Sequence, residues 1–163
     1  MIARGFTTIE LLVTTAIIVI VFTLGTSVFS LIQQTAAAPS GTIALEQILG
    51  SAARRARAGV AGTAWGVYLP YDEVTRHAGS VTVFSGNTYA TRNVSLDSIS
   101  RFNEGVEFTT VDLSGAQSSL GNDHEIIFAS ISGQTSQYGS VTLNVYGKTF
   151  VITITEDGFV VLD

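Results

Sequence analysis

A long stretch without charge near the N-terminus constrains this sequence more than any other feature. The sequence has no Asp, Glu, Lys or Arg between Glu10 and Glu46. About 20 apolar residues are enough for a helix to cross a bilayer, because a helix satisfies its own backbone hydrogen bonds. The run from Phe6 to Leu31 reaches that length, and Arg4 before it favours a cytoplasmic N-terminus. The sequence therefore predicts a single membrane-spanning helix, with the C-terminal part of the chain outside the cytoplasm.

Glu10 stands out at the start of this apolar run. A carboxylate at the centre of a bilayer costs roughly 2.5–3.5 kcal/mol on insertion scales, and less near the interface. A charge at such a position is a functional candidate with a partner. The alternative is an acid that marks the interface and reaches water. Both interpretations are consistent with the residues alone.

The residues around the start of the apolar run carry a family resemblance. The segment RGFTTIELLV, residues 4–13, resembles the prepilin signature of type IV pilins and type II secretion pseudopilins. The resemblance implies that a prepilin peptidase removes the leader, residues 1–5, by cutting between Gly5 and Phe6. It also implies N-methylation of Phe6, and an assembly salt bridge from Glu10 to the Phe6 ammonium of its own or a neighbouring subunit. Such a pair counts most in low dielectric.

The apolar run also fits two alternative roles. One is a secretory signal cut after the small residues 36–38, but the run exceeds the usual 7–15 apolar residues and contains Glu10. The second is a plain single-pass anchor for a β-rich binding domain that does not polymerise. An uncut mature chain would favour the plain anchor.

A second helical pattern follows the apolar run. Pro39 disfavours helical geometry at the residue before it and marks the predicted boundary between a helix over 6–38 and a globular domain over 39–163. Apolar residues at i, i+3, i+4 and i+7 then predict an amphipathic helix over 42–58. Its last turns carry three cations, Arg54, Arg55 and Arg57. They are either solvated charges that complement the helix dipole or a contact surface for an acidic neighbour.

The remainder of the chain, residues 63–163, has the pattern of β-structure. Short β-branched and aromatic runs alternate with Gly, Asn, Asp and Ser. The last three runs predict a meander with two tight turns. Because a sheet must bury its apolar face, we expect it to pack on the helix over 42–58. The predicted fold class is α+β, pilin-like: a long N-terminal helix, half in the membrane and half amphipathic, packed on a C-terminal antiparallel sheet.

This layout also resembles, loosely, the GspH/FimT-type minor pilins and pseudopilins. The segments carrying that resemblance are the Ala- and Arg-rich residues 49–59 and the glycine-turn run 154–160. The cysteine pair that closes a loop in many pilins is absent, since the chain has no cysteine.

Composition narrows the classes of function. The net charge is −5, and cations cluster only at Arg54, Arg55 and Arg57, so no strong nucleic-acid binding is expected. No G-x-S-x-G, phosphate-loop or H-E-x-x-H motif occurs, which predicts no catalytic residue, cofactor or metal. A calcium site among residues 122–125 is a weaker alternative. The sequence thus predicts a structural filament subunit, not an enzyme, whose partners are prepilin peptidase, other pilin or pseudopilin subunits and the cytoplasmic membrane.

Overall fold

The computed structural model describes residues 7–71, 78–102, 105–115 and 124–163, apart from the side chains of residues 24–40. The chain divides into two compact units, residues 1–37 and 38–163. Helix α1 has the bounds Thr8–Arg57. Its described side chains belong to the first unit over residues 8–23 and to the second unit over residues 41–57.

The helical segment over 41–57 buries one face in the second unit. Its buried apolar side chains recur at spacings of three and four residues, which places them on one side of a helix. They are Leu45, Leu49, Ala52, Ala53 and Ala56. The helix ends at Arg57, and Gly59 then adopts a left-handed conformation with φ of 62°. Glycine makes that conformation without strain, which explains the chain reversal here.

Eight strands follow in the described part of the second unit, and each is antiparallel to its neighbours. They are β1 (Trp65–Leu69), β2 (Ser80–Ser85), β3 (Ser98–Arg101), β4 (Val106–Leu113), β5 (His124–Phe128), β6 (Gly139–Val145), β7 (Lys148–Ile154) and β8 (Val160–Leu162). Two short 3₁₀ turns, Val60–Gly62 and Val94–Leu96, lie in the connections.

The strands form two sheets of four. The first sheet has the order β3-β2-β1-β5, and the second has the order β4-β6-β7-β8. The chain therefore passes to the second sheet at β4, returns to the first at β5, and enters the second again at β6. The predicted meander of the last three strands is confirmed as β6-β7-β8. Its first turn has positive φ at Tyr146 and Gly147, the geometry of a two-residue hairpin.

One core unites both sheets with the helical segment over 41–57. Fully buried side chains come from the helix (Leu45), from the first sheet (Phe128) and from the second sheet (Phe108). The alternating burial along β6, with Val141, Leu143 and Val145 inside, shows that the second sheet turns one face to this core. The tight approach of Gly41 to Val106 and Val145 carries the helix onto the second sheet.

The predicted fold class is wrong. The second unit is mostly β, with two antiparallel sheets sharing the core, and only the segment over 41–57 packs there. A long N-terminal helix packed on a single sheet is not what the described residues form. The physical reason is that one-sided alternation predicts a buried face without saying what covers it. A second sheet and a helix leave the same pattern in the sequence.

The first sheet is also covered on its outer face. A side chain at Gly66 in β1 would collide with the ring of Phe84, its partner in β2, which is fully buried. The ring of Tyr89, from the loop after β2, meets Phe84 edge-on at 5.5 Å and stacks on Tyr68 at 3.8 Å between ring centroids. This loop closes a small aromatic cluster over the sheet, which explains why β1 and β2 are buried on both faces.

Candidate functional site

The N-terminal end of the described helix is built around Thr7 and Glu10. The carboxylate oxygen Oε2 of Glu10 accepts hydrogen bonds from the backbone N–H of Thr7 at 3.2 Å and from its hydroxyl at 3.1 Å. In return, the hydroxyl of Thr7 accepts a bond from the backbone N–H of Glu10 at 3.3 Å. This reciprocal pattern is a capping box, which satisfies donors that the first turn of a helix leaves open. Glu10 therefore has a local structural role.

The segment after this cap is apolar and exposed all round. Every described side chain from residue 7 to residue 23 is exposed. Exposures of the large apolar residues run from 52 % at Val13 to 72 % at Ile9 and Phe22. Soluble surfaces rarely carry continuous apolar area of this extent, and such area marks a surface made for a partner or a lipid phase.

The few hydroxyl groups in this segment are turned back onto the helix. Thr14, Thr15 and Thr23 each donate to the carbonyl four residues earlier, at 2.8, 2.8 and 3.0 Å. A threonine bonded in this way presents its methyl group outward and needs no water for its hydroxyl. The side-chain polarity of the described segment is therefore concentrated at its start, in Thr7 and Glu10.

The predicted processing residues lie outside the described residues. Gly5 and Phe6 both precede the first described residue, so cleavage between them and methylation of Phe6 stay predictions. Glu10 is described, but its predicted partner, the Phe6 amine, is not. Among the residues that the structure describes, no helix is both long enough and apolar enough to cross a membrane.

Sequence reasoning missed Thr7. The signal was available, because Thr7-Thr8-Ile9-Glu10 has the T-x-x-E spacing of a capping box directly before an apolar run. The family resemblance drew attention to the carboxylate as an ion-pair partner and away from its local hydrogen bonds. The two roles are compatible, since the bonds to Thr7 engage Oε2 and leave Oε1 with no partner among the described residues.

The three arginines at the end of α1 are used differently from one another. The guanidinium of Arg55 lies over the ring of Trp65, and that of Arg57 lies over the ring of Phe159, each at 4.8 Å from the ring centroid. Arg57 also donates to the backbone carbonyl of Asp157 at 2.8 Å. Arg54 is exposed and lines a groove of about 300 Å³ beside the turn between β7 and β8. Arg55 and Arg57 therefore connect the helix to the β-structure. The prediction that the chain does not bind nucleic acid strongly stays a prediction.

The ion pair Arg92–Asp97 lies beside the aromatic cluster of the first sheet. Arg92 donates from Nε to Asp97 at 2.8 Å, and its guanidinium covers the ring of Tyr89 at 3.7 Å. The hydrogen bond to the Asp97 carboxylate raises the pKa of Arg92 above its ordinary value. This cation is thus held in the packing of the loop by its ion pair with Asp97 and its contact with the Tyr89 ring.

Half of the alternative calcium site falls outside the described residues, which include His124 and Glu125 but not Asn122 or Asp123. Within the described ranges, no three His, Cys, Asp or Glu residues come together as a set of metal ligands. Comparisons with protein-family models, with curated proteins and with solved structures each found no match for the chain.

Proposed function

We propose that this chain is a structural subunit, a minor pilin or pseudopilin of the GspH/FimT-like kind, in a type IV pilus or type II secretion-like filament. In this proposal prepilin peptidase cuts between Gly5 and Phe6, and Phe6 becomes the methylated N-terminus. Before assembly the subunit is held as a single-pass protein in the cytoplasmic membrane, with its C-terminal domain outside the cytoplasm. Assembly then packs the N-terminal helices of neighbouring subunits together.

The observation that carries the proposal is the exposed apolar helix over residues 8–23. Its large apolar side chains are each at least half exposed, whereas the described part of the second unit has a core shared by its helical segment and both sheets. In a bilayer the lipid tails are as apolar as these side chains, so packing and not the hydrophobic effect drives helix association there. Outside the bilayer the same surface needs cover from neighbouring helices, because leaving it in water costs about 25 cal/mol per Å². A filament core in which several copies pack side by side would supply this cover.

Glu10 supplies the register in this proposal. Hydrophobic contact between apolar helices is not directional, so it does not fix how far one subunit is displaced along its neighbour. A single carboxylate per helix, paired with the Phe6 amine of the neighbouring subunit, does fix that displacement. The oxygen Oε2 stays with Thr7 in the capping box, and Oε1 accepts from the amine.

The test separates the capping box from the ion pair. Glu10→Gln keeps an acceptor for Thr7, and glutamine serves in a capping box as glutamate does, but it removes the charge. Thr7→Ala is the matched control, because it removes the hydroxyl of the capping box and leaves the carboxylate. We expect about a tenfold loss of Glu10→Gln subunits from sheared filaments and near-normal incorporation of Thr7→Ala, measured by quantitative mass spectrometry beside wild-type chains.

Equal incorporation of Glu10→Gln and wild-type chains would remove the ion-pair role and leave the capping box as the function of Glu10. The intact mass of the wild-type chain purified from whole membranes tests the wider proposal. Loss of residues 1–5 with one added methyl group is the expected result. A full-length mass would instead favour a β-rich binding protein that is anchored but never polymerised.

A further inference from the structure

A groove of about 610 Å³ lies beside β5, the last strand of the first sheet. Its described lining includes two carboxylates, Glu125 and Glu156, and the side-chain amides of Asn87, Gln134 and Gln137. No Lys or Arg is among the described lining residues. The groove is therefore negative and rich in neutral hydrogen-bonding groups, and none of the sequence motifs accounts for it.

The floor of the groove is a fixed hydrogen-bond network. Gln137 and Thr135 are 5 % and 4 % exposed. The amide oxygen of Gln137 accepts from the backbone N–H of Ile127 at 3.1 Å and from the hydroxyl of Thr135 at 3.3 Å. Its amide nitrogen donates to Ser136 Oγ at 2.9 Å. Buried polar groups that are satisfied in this way hold one conformation, so the groove is preorganised.

The Glu125 carboxylate is also held in place. Its Oε2 accepts from the backbone N–H of Tyr89 at 2.6 Å. Tyr89 in turn is fixed between the stacked ring of Tyr68 and the guanidinium of Arg92. The positive charge of Arg92 is already paired with Asp97, so it does not neutralise Glu125. One carboxylate oxygen is thus anchored by the fold and the half-buried group faces a negative groove.

We propose that this groove binds an alkylammonium group carried on a peptide, as in a lysine side chain of a partner segment. The two carboxylates supply charge for the ammonium, and the amides of Asn87 and Gln134 supply donors and acceptors for the peptide bonds on either side of it. Charge-assisted hydrogen bonds of this kind are about twice as strong as neutral ones. The proposal does not depend on filament assembly.

In this proposal the groove binds the side chain of the partner, and the partner does not add a strand to the sheet. A peptide that added a strand to β5 would need the outward N–H of Ile127, but Gln137 already occupies it. Thr135 also forms an isolated antiparallel bridge with Phe128 at the same edge. These contacts close the part of the edge that lies in the groove, which is how sheets avoid unwanted strand addition.

The experiment uses the full chain in non-ionic detergent micelles and a capped peptide of sequence Gly-Ser-Lys-Ser-Gly. Backbone amide shifts in an NMR titration report binding, and we expect them at residues 125 and 134–137. A peptide with norleucine in place of lysine is the uncharged control and should bind about tenfold more weakly, equivalent to about 1.4 kcal/mol. Free n-butylamine tests whether the ammonium alone is enough; affinity equal to that of the peptide would overturn the peptide part of the proposal.

Glu125→Gln and Glu156→Gln should each weaken the lysine peptide at least about fivefold, an effect that shrinks as salt rises. Glu125→Gln keeps an acceptor for Tyr89, so the loop stays folded, and Glu156 is exposed. Asp112→Asn removes an exposed acid on β4 in the second sheet and should leave affinity unchanged. Equal binding of the norleucine peptide, unaltered affinity in both glutamine variants, or no shifts at all would each overturn the proposal.

Discussion

The helical segments over residues 8–23 and over residues 41–57 are both rich in apolar residues, but those side chains are exposed in the first segment and largely buried in the second. In the first, every described side chain is exposed, including Leu12 at 64 % and Phe22 at 72 %. In the second, Leu45 and Leu49 are fully buried, while Gln47 on the opposite side of the helix is exposed. The difference lies in the distribution of apolar residues around the helix, since the first segment has no polar face.

A helix with one apolar face can bury that face against the rest of its own domain. A helix that is apolar all round cannot be covered by one sheet alone. In the second unit the apolar face of the helical segment is buried in a core that it shares with both sheets. The first segment has the same kind of side chains without that cover. Its apolar residues should therefore matter for association and hardly at all for folding of the second unit.

The largest expected difference between the two regions is in the effect of a truncated side chain on unfolding. Phe108→Ala empties a fully buried position shared by the core and should lower the free energy of unfolding by about 3–5 kcal/mol. Ile17→Ala, at a position that is 55 % exposed in the first segment, should change it by less than about 0.5 kcal/mol.

Urea unfolding measured by tryptophan fluorescence suits this comparison, because the chain has one tryptophan and Trp65 is buried in the second unit. Equal losses of stability in Phe108→Ala and Ile17→Ala would mean that the exposed segment takes part in the fold of the second unit. That outcome would contradict the separation between the two regions.

Local patterns in the sequence predicted much of the β-structure. The runs predicted as strands over residues 65–69 and 106–113 have the same bounds as β1 and β4, because β-branched and aromatic residues are frequent in both. The edge strand β3, Ser98–Arg101, was missed, because three of its four residues are polar and its single apolar residue, Ile99, is exposed. The division into two sheets was also missed, since sheet membership depends on long-range pairing, such as Val67 with Ile126.

A smaller effect should come from filling space that only glycine leaves open. Gly66→Ala would place a methyl group against the ring of Phe84 and should destabilise the second unit by about 1–3 kcal/mol through overpacking. Gly50→Ala is the matched control in the helix, where the new methyl group meets only the far end of the Arg54 side chain at 3.1 Å. Alanine stabilises a helix over glycine by roughly 0.5–1 kcal/mol.

The same urea titrations should therefore give shifts of opposite sign for two identical substitutions. If Gly66→Ala were as stable as the wild-type chain, the loop that carries Tyr89 would have to move aside at no cost in the free energy of unfolding. The aromatic cluster would then not be a rigid cover for the sheet. A destabilised Gly50→Ala would show instead that Arg54 is held in one position.

The two candidate sites differ in whether their residues could be predicted from the sequence. Glu10 was found because a carboxylate is rare inside an apolar run, and Thr7 could have been found from its spacing to Glu10. The groove beside β5 could not, because Asn87, Glu125 and Gln137 are far apart in the sequence and each is an ordinary polar residue in a loop or strand. Only the pairing of β5 with β1 and the folding back of the next loop bring them together.

The smallest expected effect concerns an isoleucine in a backbone conformation that does not suit it. Ile131 has φ of 72° and a side chain that is 78 % exposed. A β-branched residue in the left-handed region is strained, whereas asparagine enters that region readily. Ile131→Asn should therefore stabilise the second unit by about 1 kcal/mol, measured by the same fluorescence-detected unfolding. Ile99→Asn is the matched control, because Ile99 is similarly exposed, at 62 %, but lies in the extended backbone of β3. Asparagine is disfavoured in strands, so this variant should lose a few tenths of a kcal/mol. A loss of stability in Ile131→Asn that equals the loss in Ile99→Asn would show that the side chain of Ile131 stabilises its loop by more than the backbone strain costs.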